Sequence, residues 1–145
     1  MVTVLRVPAD PGELLALLRV EDSSAAFSDM IGGGLLDDGM RGMVQGDPFV
    51  FCVDEQQVLR GLPVNDRAVV LSANVGQVDR RWLSGLCGDV LLVGLDRSGG
   101  DGNVPLGVVT AALRCDLGPI VVDGALLVRS RPRVTSEPRA RRSGG

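Results

Sequence analysis

The apolar positions along the chain change period several times, and each change predicts an element. "VTVLRVP" (2–8) alternates, is β-branched, and predicts a first strand closed by Pro8. "ADPGELLALLRV" (9–20) supports two readings. Asp10 ahead of Pro11 and Glu13 resembles a helix cap with Pro at the first position, while the short run Leu14–Leu18 equally suits a buried second strand. "DSSAAFSDMIGGG" (22–34) predicts a short helix from Ser23 or Ser24. Its apolar stripe is Ala26, Phe27, Met30 and Ile31, and Gly32 is its left-handed stop. "MRGMVQGDPFVFCV" (40–53) predicts a hairpin with strands over 40–45 and 49–53 and a turn at Gly46-Asp47-Pro48. A second turn at Asp54-Glu55-Gln56-Gln57 precedes Val58-Leu59.

In "RGLPVNDRAVVL" (60–71), Pro63 disfavours helix at Leu62, and Asn65 or Asp66 caps a helix running to about Asn74. Ala68, Val69 and Ala73 are expected to face inward. Asp79–Leu83 adds one helical turn. "LCGDVLLVGL" (86–95) is a nearly continuous apolar run, suited to a central strand. "DRSGGDGNVP" (96–105) is a loop by composition. Residues 106–128 read as two further strands about Gly118-Pro119, with a helix as the alternative for the first half. The short spacings favour antiparallel pairing, since parallel crossovers need a dozen or more residues. The expected fold is therefore α+β, a mostly antiparallel sheet of four to six strands carrying two or three short helices. Its organisation is a domain over 1–105, a C-terminal strand extension over 106–128 packed on it, and a disordered Arg-rich tail over 129–145.

Composition narrows the chemistry. The 145 residues are 45% hydrophobic but contain only three Phe, one Trp and no Tyr, so Leu, Val, Ala and Met must build the core. There is no His and no Lys, and all fifteen basic residues are Arg. That removes an imidazole acid or base, a lysine Schiff base, a phosphate-loop lysine and every histidine-containing metal site. Arg clamps anions but cannot act as a base. Cys52, Cys87 and Cys115 are far apart and lack a Cys-x-x-Cys pair, so they read as small buried hydrophobes rather than zinc ligands or disulfides. With no bilayer-length apolar run and no secretory leader pattern, a cytoplasmic protein with no membrane contact is expected.

The net charge of −3 hides an asymmetry. Residues 129–145 hold six Arg and one Glu, whereas residues 1–128 hold nine Arg and seventeen acids. A basic tail can bind nucleic acid, but without interleaved aromatics a solvated extension is the favoured reading, with contact between tail and body as a third option.

Four landmarks in order, "VTVLRVP", "FSDMIGG", "DEQQVLRGLPVNDRA" and "GDVLLVGLDRSG", together resemble the domain-of-unknown-function 3846 family, small proteins of phages, plasmids and actinobacteria. The resemblance spans about residues 2–105, and its Gly-Leu-Pro-x-Asn element is the most specific part. This chain departs from the family at Gly34-Leu35-Leu36 and at Val53–Gln57, which lacks the family's Lys. The family carries no established reaction, so the resemblance implies a genomic setting rather than a mechanism.

Each candidate site has a plainer reading beside it. Asn65, Asp66 and Arg67 at a helix start offer backbone N–H groups and a guanidinium to an anion, but an Asn cap explains Asn65 without a ligand and leaves Arg67 open. Asp54 and Glu55, like Asp37-Asp38, are acidic enough to touch a divalent ion, though adjacent turn carboxylates are usually solvated. Trp82 beside Arg80-Arg81 can stack on a base or anchor an interface, or sit half-buried in the core. Gly32-Gly33-Gly34 lacks a phosphate-loop context, and the loop from Asp96 lacks a calcium loop's ligand pattern. The expected function is a non-enzymatic binding protein of a phage or mobile element, acting on a host protein or sequestering a small anionic, nucleotide-like signal. A carboxylate-based, metal-assisted hydrolase is the alternative. No catalytic residue, metal site or cofactor is assigned, and a homodimer is expected.

Overall fold

Alternation along β1 (Val2–Val7) sends Leu5 and Val7 to one face of a sheet and Val2 and Val4 to the other, and all four are buried. β6 (Val90–Leu95) divides in the same way, with Val90 and Leu92 on the first face and Leu91 and Val93 on the second. So does β4 (Asp47–Asp54), with Phe49, Phe51 and Val53 opposed to Val50 and Cys52. Burial on both faces is why 86–95 reads as an unbroken apolar run.

The structure is a computed structural model that describes residues 1–78, 86–122 and 125–127. The expected turn at 79–83, Trp82 and the tail from Arg129 lie outside the described residues. Among those described, nine strands form one sheet in the order β5-β3-β4-β6-β1-β2-β8-β9, and β7 adds to β6. The remaining strands are β2 (Leu15–Val20), β3 (Leu36–Val44), β5 (Gln77–Val78), β7 (Asp101–Gly102), β8 (Ile120–Val122) and β9 (Ala125–Leu127). The pairing of β2 with β8 is parallel and the rest are antiparallel. The fold is α+β with three helices among the described residues, and its sheet exceeds the expected four to six strands. The surplus comes from two- and three-residue strands, which are too short to leave a period in the sequence.

Helix α1 (Ser24–Met30) covers one face through Phe27, with Ile31 just beyond it. Ser23 accepts the Ala26 N–H at 3.1 Å as the N-cap, and Gly32 has φ +98°, the left-handed stop that its position required. Helices α2 (Asp66–Asn74) and α3 (Leu106–Arg114) cover the other face. Along α2 the inward positions are Ala68, Leu71, Ser72 and Val75, a phase that leaves Ala73 exposed rather than inward as expected.

The ambiguous segments resolve through their neighbours. Asp10 closes a local turn, accepting the Gly12 N–H at 2.8 Å, so it caps no helix, and Ala16–Val20 pair with β1. Residues 106–114 are helical rather than a strand extension, and Val108, Val109, Ala111 and Ala112 belong to the main core. The hairpin turn falls at Gln45-Gly46, with φ +50° and +84°, two residues between paired Val44 and Asp47. Two central residues at positive φ follow the right-handed twist of the strands, so the turn lies ahead of the expected Gly46-Asp47-Pro48 and Pro48 enters β4 opposite Met43.

Candidate functional site

The strand directions bring five connections to one end of the sheet: residues 8–14, 31–35, 55–65, 86–89 and 115–119. At their centre is Asn65. Its side chain is completely buried, its Oδ1 accepts the Ala68 N–H at 3.0 Å, and its Nδ2 donates to Val7 O at 2.8 Å and Gly88 O at 2.9 Å. Its own N–H donates to Leu86 O at 2.9 Å. The cap expected from sequence is present, and the same amide joins β1 to the segment before β6. Both amide hydrogens are spent on backbone carbonyls, the oxygen caps α2, and the side chain is out of reach of solvent, so Asn65 serves the scaffold.

Arg67 is half-buried, and its Nη2 donates to Pro8 O and Asp10 O, each at 2.8 Å. Desolvation lowers its pKa, opposed by the charges of Asp10, Glu13 and Asp89. Arg67, left open by the sequence, is therefore a clamp on the 8–10 loop. Asp54 is likewise buried. It accepts the Gln56 N–H at 2.8 Å and pairs with the Arg60 guanidinium. Gly34 packs against that pair so closely that a Cβ there would overlap both groups, whereas Gly32 and Gly33 stand in open space with φ of +98° and +85°, so close approach explains the third glycine and backbone conformation the first two. Glu55 keeps an exposed side chain while its N–H donates to Leu35 O at 2.7 Å.

Two residues not singled out from sequence complete the frame. Arg6 donates through Nε to Met30 O at 3.0 Å and pairs through Nη2 with Asp89 at 2.7 Å and through Nη1 with Glu13 at 3.3 Å. Asp89 also accepts the Ala9 N–H at 2.9 Å. Only the Gly-Asp pair in the fourth landmark hinted at Asp89, and an Arg at an alternating strand position looks like an ordinary solvent-facing residue.

Within this frame lies an open cleft of about 250 Å3. Ala9 and Asp10 follow the first landmark strand, and Ile31 and Gly32 come from the second landmark. Arg60, Leu62 and Pro63 come from the third, and Gly88 and Asp89 from the stretch that opens the fourth. The four stretches, spread over more than eighty residues, thus meet at one place. Beside the cleft, the turn from 55 to 61 projects Val58 and Leu59, which are 79% and 86% exposed, with Leu35 exposed alongside.

No protein-family model, no curated protein and no solved structure matches the chain. Among the described residues no three His, Cys, Asp or Glu side chains are grouped so as to hold a metal ion, and no helix is long and apolar enough to cross a membrane. The three cysteines are free thiols, and burial with nearby Asp38 pushes Cys52 up to about 12, far from a reactive thiolate.

Proposed function

We propose that the chain is a non-enzymatic binding protein whose partner is another protein, recognised at the cleft end of the sheet. The observation that carries this is the adjoining pair Val58-Leu59, held out on a turn whose base is fixed by the pairing of Arg60 with buried Asp54. Large apolar side chains this exposed, on a fixed turn beside a cleft, suit a macromolecular contact. The charges fit a protein presenting a basic segment better than a small anion. The five connections at this end carry Asp10, Glu13, Glu55, Asp89 and Asp116 against Arg60, and Arg6 at the end of β1 pairs with Glu13 and Asp89, which leaves acids in excess; the guanidinium first considered for an anion, Arg67, is engaged by backbone carbonyls. The ionisable groups lining the cleft serve contacts within the fold, which favours recognition over acid–base work. The family resemblance supplies the setting, a phage or mobile-element protein acting on a host protein in the cytoplasm.

Affinity capture from host lysate with the wild-type chain and with Leu59→Asp tests this reading. A protein retained by the first and lost by the second supports it, and equal capture by both contradicts it. Light scattering on the same two samples separates a homodimer built across the Val58-Leu59 turn from a foreign partner.

A further inference from the structure

The direction of the last strand and the charge of the cleft end bear on one another. β9 runs antiparallel to β8 and places Leu127 opposite Ile120, which pairs with Leu15 at the start of β2. Leu15 lies beside the end of β1, next to Arg6↔Ala16 in the register. The chain therefore leaves β9 at the cleft end, three strand spacings or about 14 Å from β1. Residues 128–145 span at most about 60 Å when extended, so the cleft is within easy reach.

We infer that the Arg-rich segment 129–145 docks in the cleft of its own molecule, seating an arginine between Leu62-Pro63 and Asp10. This rests on the reading of the cleft as a protein-binding site, and it adds that an outside partner must displace the chain's own tail. The loops at this end hold five acids and one Arg, and Arg6 on β1 pairs with two of those acids, Glu13 and Asp89, so the end stays acidic, while the tail holds six Arg and one Glu. The cleft matches an arginine in both halves of its chemistry. Ile31, Leu62 and Pro63 offer apolar surface to the methylene stem, and Asp10 and Asp89 offer carboxylates to the head. Asp10 retains acceptor capacity beyond its bond from the Gly12 N–H, since a carboxylate has about four acceptor sites. A docking built on several such contacts is weakened by salt and has no dependence on protein concentration.

Amide NMR spectra of the full chain test this, comparing wild type with a full-length variant in which Arg129, Arg131, Arg133, Arg139, Arg141 and Arg142 are all replaced by Ser. The amides of Ala9, Asp10, Gly32, Leu62, Gly88 and Asp89 should shift between the two. High salt should move the wild-type spectrum toward the variant's, and dilution should change neither. A second full-length variant, Asp10→Asn with Glu13→Gln, should move the tail amides toward their high-salt positions. Unchanged cleft amides overturn the inference. So do shifts confined to Asp22, Asp96 and Asp101 at the opposite end, or shifts that vanish on dilution and so report contact between copies. If the tail leaves the cleft untouched while Leu59→Asp still abolishes capture of a partner, only the docking falls and the binding reading stands.

Discussion

The two ends of the sheet treat their charges in opposite ways. At the cleft end, Arg6 holds Asp89 and Glu13, Arg60 holds Asp54, and Arg67 holds two carbonyls, so charge and backbone are matched within the fold. At the far end like charges collect. Asp101 lies partly out of water, shares a hydrogen bond with Asp22, and feels Asp38 and Asp96, which together push its carboxyl up to about 6. Asp96 is held below its ordinary value by bonds from Ser98 and Gly100 within its own loop. The contrast teaches where this fold is fixed and where it is under electrostatic tension. Matched polar groups make a rigid frame that can present a binding face, and unmatched ones make an end whose stability depends on pH.

Breaking the frame gives the largest effects. Asn65→Ala removes a helix cap and orphans the carbonyls of Val7 and Gly88, so a loss of about 2–4 kcal/mol is expected, above the 0.5–2 kcal/mol of a cap alone. Urea denaturation measures it, and a loss within the cap range would mean that the two carbonyls find water. Arg60→Ala leaves the buried Asp54 carboxylate with the Gln56 N–H. Discounted for the partial exposure of Arg60, this should cost about 1–3 kcal/mol in the same assay. Arg67→Ala should cost about 1 kcal/mol, with amide exchange rising at 8–12 before anywhere else.

The smallest change sharpens the other side of the comparison. The Asp101 carboxyl binds its proton more tightly folded than unfolded, so its contribution is present at low pH and is lost as pH rises from about 4 through 6. At pH 7 the ionised group opposes folding. Asp101→Asn should raise the melting temperature at pH 7 by a few degrees and flatten its pH dependence between about 4 and 6. An unchanged profile would show that Asp22 and its neighbours are far enough into water to be screened.

Much of the fold was legible because period and punctuation agreed. Pro8, the Ser23 cap and Gly32 bounded β1 and α1, and unbroken apolar character marked β6 as central. The segment at 106–114 was not legible as one element, since Leu-Gly-Val-Val-Thr is rich in β-branched residues and Pro105 supplies no side-chain cap. Helix formation there is decided by packing on the sheet rather than by local preference. At the site, the cap role of Asn65 could be read from its place before Asp66, but its bonds to Val7 and Gly88 cross 58 and 23 residues and leave no local trace. Arg67 stayed open in the sequence for the same reason, because the carbonyls it holds lie in a loop nearly sixty residues earlier. The exposure of Val58 and Leu59 was equally hidden, since an apolar pair after a turn also suits a buried strand.

The most direct test of the comparison is capture from lysate, followed by a binding titration of any protein retained, with three chains: wild type, Leu59→Asp at the cleft end and Asp101→Asn at the far end. The account predicts at least about a tenfold loss of affinity for Leu59→Asp with an unchanged melting temperature, and wild-type affinity for Asp101→Asn. Equal affinity for Leu59→Asp and wild type, or a loss confined to Asp101→Asn, would contradict it.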